Sequence, residues 1–213
     1  VNNPETLRTV GSLLLAAIGE SDGIEPLRPI PPEWFAKEDA GLLLCPRGNR
    51  ITDVFLRNAA EAPNFVLLAD QSKGVFTNRK IVLAIMALRP SIMAIPGDRV
   101  GILMPACAMA NVVYLAALFA GKIPVLVNWT VGLRNMRYCL DNAGVKTIIT
   151  SSQVIDRLEG RGTDFTGVKE QFCYLEDIAK GIRLPHKLRC VLASHFCWRS
   201  LRRAAVPEIA AVL

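Results

Sequence analysis

Three stretches of this 213-residue chain carry side chains whose types and spacing could do chemistry. The first is GRGTDFTGVKE at 160–170. Gly162 and Gly167 have the four-residue gap of a phosphate-cradling loop, but Val168 stands where lysine belongs, Lys169 comes one place late, and Glu170 would repel a phosphate. Such a loop is also fed directly by a strand, whose end aims backbone N–H groups at the anion, and no strong strand leads into this one. It reads as a surface turn. The second stretch holds His186, Cys190, His195 and Cys197 within twelve residues. The spacings His-x3-Cys, Cys-x4-His and His-x-Cys match no common zinc pattern, and on a helix only His186 and Cys190 would share a face. No metal is expected there. The third, 183–203, mixes leucines, Phe196 and Trp198 with six cations. It is either an amphipathic helix that docks on anionic lipid or an acidic protein through Arg199, Arg202 and Arg203, or the solvated basic face of an ordinary packed helix. Nucleic acid is not expected, because no aromatic platform is interleaved with the charges and no known module is present.

The net charge of +6 belongs wholly to that last region. From Lys180 onward seven cations face Glu208 alone, so the first 179 residues are neutral overall. With 51% apolar residues the chain can bury a core for one domain or one and a half. Its longest apolar run, 112–120, has nine residues, against the roughly 20 a membrane helix needs. The apolar stretch 13–18 behind Arg8 imitates a signal peptide, but Glu5 and the lack of a small-x-small cleavage site argue against one. The six cysteines are scattered and mostly embedded in apolar segments, as reduced core thiols of a cytoplasmic protein would be.

The elements that must position such groups are clearest in DRVGILMPACAMANVVYLAALFAGKIPVLVN at 98–128. A short apolar run at 99–104 lies between Gly97-Asp98 and Pro105. A helix apolar on most faces follows at 108–120 and is stopped by Gly121, and 123–127 is a second apolar run. Strand, helix and strand make a βαβ unit with a right-handed crossover. Neither run alternates, so both faces of each strand should be covered. Upstream, Thr52 or Asp53 should cap a helix reaching Ala62 before Pro63. Runs at 65–69 and 75–76 should form a hairpin around a turn at 71–74. Thr77 or Asn78 should cap a helix from Arg79 to about Leu88, ended by Pro90. Downstream, helices are predicted at 133–142 and 153–158 and strands at 146–150 and 172–175. The fold class is therefore α/β, a mostly parallel doubly wound sheet covered by helices. Residues 1–50, with four prolines between 26 and 32, read as a connector in which 6–18 could be helical and Trp34-Phe35 an anchor.

The blocks ITDVFLRNAAEAPNFVLLAD, GDRVGILMP, AALFAGKIPVLVN and LDNAGVKTIITSS, in that order, resemble the N-terminal part of the adenylate-forming (AMP-binding) superfamily, the acyl-CoA synthetases and their relatives. Most members continue from the position of Asn128 into proline. Here Trp129-Thr130-Val131-Gly132 follows, and with YLEDI at 174–178 this is similar to the acyl–acyl-carrier-protein synthetase module fused to bacterial 2-acyl-glycerophosphoethanolamine acyltransferases. On this resemblance 1–50 joins an upstream module, 51–178 is the α/β subdomain, and 179–213 is the basic segment with a strand, PEIAAVL, leading toward the family's phosphate loop.

The resemblance implies a ligase that uses ATP and Mg to turn a fatty acid into an acyl-adenylate, then passes the acyl group to a thiol of CoA or an acyl carrier protein. It makes Tyr114, Phe119 and Trp129 candidates for an acyl tunnel, where plain core packing is the alternative. It also gives Arg199, Arg202 and Arg203 an acidic carrier protein or an anionic membrane to meet. The family's phosphate loop, metal-holding acid, ribose Asp and oxyanion Lys all lie downstream of the matched blocks, so no catalytic or cofactor-binding residue is assigned and the 213 residues alone should be inactive. Asp98 is expected to cap or turn the backbone, and Asn128, ending a strand, to hydrogen-bond a neighbouring loop. A self-sufficient binding module that docks through its basic tail is the alternative.

Overall fold

Short, mostly apolar runs fold here as strands of a parallel sheet, because helices on both of its faces keep them largely dry. The computed structural model describes residues 50–70 and 74–213. The expectations for 1–49, and most of the 71–74 turn, lie outside them. In chain order the elements are α1 (Ile51–Glu61), β1 (Val66–Asp70), β2 (Gly74–Thr77), α2 (Asn78–Met93), β3 (Arg99–Ile102), α3 (Ala108–Phe119), β4 (Ile123–Leu126), α4 (Leu133–Asn142), β5 (Ile148–Thr150), α5 (Ser152–Glu159), β6 (Phe172–Tyr174), α6 (Leu175–Gly181), α7 (Leu184–Phe196) and α8 (Arg199–Arg202).

The four strands β3 to β6 form an all-parallel sheet in the order β4-β3-β5-β6, and β1 pairs with β2 as a separate antiparallel hairpin. β3 and β4 are direct neighbours, with Arg99 opposite Ile123 and Ile102 opposite Leu126. The fold is the expected helix-covered α/β sheet. Alternation along each strand divides the core. Val100, Ile102 and Ile149 face one side, against Ile81, Ile85, Val112 and Phe119 of α2 and α3. Leu103, Val125 and Ile148 face the other, against Met136, Leu140 and Ile155 of α4 and α5. The chain steps from β3 out to β4 and then back across β3 to β5. Right-handed crossovers then put α3 and α4 on opposite faces. Cys190 and Leu201, from the basic segment, are buried within the α2/α3 side.

Three boundaries differ from expectation. Neither Thr52 nor Asp53 caps α1: the N-cap is Arg50, two residues before Thr52, without a side-chain cap, and Thr52 is buried. Thr77 does cap α2, accepting from the Lys80 N–H, but α2 runs through Pro90 to Met93. Proline there removes one hydrogen bond near the helix end, while fully buried Ile92 anchors the last turn by its packing. The basic stretch is two helices rather than one, broken at Cys197 and Trp198 between α7 and α8.

Two cations missed in the sequence fasten the amino edge of the sheet. Lys122 is buried and donates to the carbonyls of Ile95 and Gly97, holding the turn before β3. Arg89 donates to the carbonyl of Phe119 at 2.6 Å, a cation placed on the negative end of α3. Gly121, at φ 76°, takes the left-handed turn that ends α3.

Candidate functional site: the carboxyl edge of the parallel sheet

In an open parallel sheet the loops leaving the carboxyl ends of the strands gather where the strand order reverses, and backbone groups there are free to meet a ligand. That reversal lies between β3 and β5, the point from which the chain first goes outward to β4. The edge is formed by the loop after β3, by 127–132 after β4, and by Ser151-Ser152 after β5.

Each loop is fixed locally. The loop after β3 leads into α3, whose first N–H, from Ala108, donates to the Asp70 carboxylate at 3.1 Å. The hairpin thus caps the helix that follows β3. After β4, Asn128 accepts from both the Thr130 N–H (2.9 Å) and the Thr130 hydroxyl (2.7 Å), closing a single 3-10 turn at Trp129–Val131. After β5, Ser151 caps α5, and the Glu176 carboxylate accepts from the N–H and hydroxyl of Ser152. Thr150, fully buried, donates to the Leu103 carbonyl at 2.8 Å and ties β5 to the end of β3. These polar groups therefore hold one another and build a shaped rim. Asn128 bonds into the loop that follows β4, while Asp98 sits at the opposite edge, where its carbonyl accepts the Ile123 N–H that starts the β3–β4 pairing.

The last residues of the chain meet this edge. Val212 pairs with Val125 in parallel, accepting from the Leu126 N–H at 2.9 Å and donating to the Pro124 carbonyl at 3.0 Å. PEIAAVL thus begins a further strand beside β4, pointing to the same rim.

The sequence-predicted groups are scattered. Phe119 is core, its ring 6.4 Å from that of Phe55, at the end of α3 that lies on the amino edge. Tyr114 is half-buried on the same side of the sheet, where burial raises its phenol above the ordinary tyrosine range. Trp129 packs on the opposite side, at the rim. The three do not share a wall. Arg199, Arg202 and Arg203 are exposed and come together in an open cleft of about 510 Å³, and Arg79 from the start of α2 joins them there.

The 160–170 stretch is a turn seated by Phe165 and Val168, both fully buried. Phe165 meets Phe172 edge-on at 5.7 Å, and Lys169 pairs with Glu159 at 2.6 Å. That hydrogen bond raises the Lys169 ammonium, while the Thr166 hydrogen bonds lower the Asp164 carboxyl. His186 and Cys190 do meet, at 3.4 Å, but burial pushes the Cys190 thiol up, which disfavours the thiolate a metal would need. Among the described residues no group of three His, Cys, Asp or Glu side chains lies together to hold a metal. No helix among them is long and apolar enough to cross a membrane.

A family model described as "AMP-binding enzyme" matches residues 83–193, just over half of the chain. Among solved structures, VinN in complex with L-aspartate is similar over 69% of this chain and 39% of that one, at 16% identity and a TM-score of 0.51. The N-terminal subdomain of NpsA from Klebsiella oxytoca is similar over 62% of this chain and 33% of that one, at 19% identity and a TM-score of 0.50. o-Succinylbenzoate CoA synthetase from Bacillus subtilis, in complex with its acyl-adenylate intermediate, aligns over 59% and 32%, at 18% identity and a TM-score of 0.48. The likeness is one of fold, and this chain spans about a third of the length of these proteins.

Proposed function

The chain belongs to the AMP-binding enzymes, the adenylate-forming family, and on that premise we propose that it is the amino-terminal scaffold of an AMP-forming acyl ligase. One observation carries the reading. The parallel pairing of Val212 with Val125 directs the polypeptide toward the rim made by Asn128, Thr130, Ser151 and Ser152. A phosphate-cradling loop following that strand would stand where a parallel sheet offers backbone N–H groups to an anion.

In the proposed reaction a carboxylate oxygen of a fatty acid attacks the α-phosphorus of ATP, and pyrophosphate leaves. A thiol sulfur then attacks the acyl carbon and AMP leaves, the thiol proton going to solvent. Both steps depend on positioning and on neutralising charge. The described residues supply positioning: a rigid sheet, a capped α3, and loops locked by Asn128 and by the Ser152–Glu176 contact. They offer no carboxylate cluster for Mg, so no step is routed through a metal here. The residues that bind the nucleotide and neutralise its charge would come from the remaining two-thirds of the parent. Of the three acyl-wall candidates, this reading keeps Trp129, which packs at the rim. Residues 51–178 form the α/β subdomain in this reading, 179–213 the basic segment and the strand to the phosphate loop, and 1–50 the join to an acyltransferase module acting on phospholipid.

The test is ATP–pyrophosphate exchange by the parent protein across a panel of fatty acids, followed by transfer of the labelled acyl group to CoA or to an acyl carrier protein. Exchange that depends on the fatty acid, with transfer preferring the carrier protein, is the expected result. No exchange with any carboxylic acid would leave a non-catalytic binding module in its place.

A further inference from the structure

Helix α7 buries one side and leaves the other bare. Cys190 and Ser194 face the core, while Leu184, Leu188, Leu192 and Phe196, spaced four apart, remain 69%, 58%, 64% and 85% exposed. Leu188, Leu192 and Phe196 line a shallow groove of about 560 Å³ with Pro185, Ala193 and Cys197, and four large apolar side chains in one stripe are more than scattered surface leucines. At about 100° per residue, Lys187 and Arg189 fall on opposite flanks of the stripe centred on Leu188. Where the stripe ends, at Phe196, the arginine cleft begins. Arg79, Arg199, Arg202 and Arg203 line it beside Trp198, and no carboxylate lies on its walls. The Arg79 Nε is buried without a hydrogen-bond partner. Between residues 181 and 207 the chain carries six Arg or Lys residues and no acid.

We propose that the outer face of α7, together with the Arg79/Arg199/Arg202/Arg203 cleft, docks on an anionic phospholipid bilayer. The leucine stripe and Phe196 would enter the acyl boundary, with Lys187 and Arg189 at headgroup level on either flank. The cleft receives a headgroup phosphate, to which planar guanidinium groups offer paired N–H donors. The chemistry favours lipid over an acidic protein. A carboxylate-rich partner would answer the charges but leave the leucines wet, whereas a bilayer answers both at once. The surface stands on its own geometry: absence of ligase activity in the parent would leave it untouched, and failure to bind lipid would leave the ligase reading untouched.

The experiment is co-sedimentation of the 213-residue chain with vesicles of phosphatidylcholine containing increasing phosphatidylglycerol, at low and high salt. Binding should rise with the anionic fraction and weaken with salt. The triple variant R199Q/R202Q/R203Q should bind roughly a hundredfold more weakly at low salt, since each cation near an anionic surface contributes about a fivefold factor. L192D/F196D alters two exposed side chains, so circular dichroism should be unchanged while binding falls to background at every salt concentration. Equal binding to neutral and anionic vesicles, or no change in either variant, would overturn the proposal. So would capture by an acidic carrier protein with no vesicle binding.

Discussion

Gly101, in the middle of β3, sits in close packing. A Cβ placed there would lie 3.0 Å from Ile148 Cγ1, 3.1 Å from Val145 Cγ1 and 3.3 Å from Val127 Cγ2. All three neighbours are buried, and all are branched, so none can swing a flexible end away. Gly101→Ala therefore sets two effects against each other. Overpacking a filled core costs about 1–3 kcal/mol. Alanine loses less backbone entropy on entering a strand, which returns roughly 0.5–1 kcal/mol. Overpacking wins, and the net destabilisation should be about 1–2 kcal/mol. For a chain of this size that lowers the Tm by about 2–8 °C. The assay is thermal and urea unfolding of the 213-residue chain, followed by circular dichroism. Gly101→Val, with two further methyl groups, should lose more still. A Tm equal to or above wild type for Gly101→Ala would show that β3 and the β5-side layer are not packed this closely, and the account of the core dividing at β3 would fail.

Other substitutions test other joints. Pro90→Ala should stabilise by about 1–3 kcal/mol, because the Met86 carbonyl regains a donor and the exposed ring gives up no packing; chemical denaturation reads it. Lys122→Met should destabilise by about 1–3 kcal/mol, since the carbonyls of Ile95 and Gly97 lose the ammonium that donates to them; the same measurement decides it. Burial raises the Cys173 and Cys190 thiols, so each is less ionised at a given pH than an ordinary thiol. Alkylation followed by mass spectrometry should modify exposed Cys139 and Cys197 before Cys173 and Cys190, and the rate at Cys173 should still be climbing at pH 9.

The fold was legible where sequence and solvent exposure coincide. The runs that became β3 and β4 are apolar apart from Arg99 at the start of β3, α4 spans the expected 133–142, and glycines mark the turns after α3 and α4. Pro90 misled because a proline stops a helix only when nothing else holds the next turn, and buried Ile92 does. Lys122 gave no sign of burial because its partners are backbone carbonyls, which no residue type encodes. The arginine cleft was half visible: Arg199, Arg202 and Arg203 are close in sequence, but Arg79 is some 120 residues away and joins them only because α7 packs on α2. Tyr114, Phe119 and Trp129 look alike as aromatics. Which end and which face of the sheet they reach depends on helix direction and strand register, and the structure separates them.

The central claim is that these residues are scaffold and that the reacting groups are joined to their carboxyl rim by the polypeptide beyond Val212. The most direct measurement is pyrophosphate release with ATP, Mg²⁺ and a panel of fatty acids, for the 213-residue chain beside its full-length parent. The account predicts acid-dependent release by the parent and none above background from the chain alone, even with both proteins folded by circular dichroism. Turnover by the chain comparable to the parent's would contradict it, and would place the catalytic groups among the residues described above.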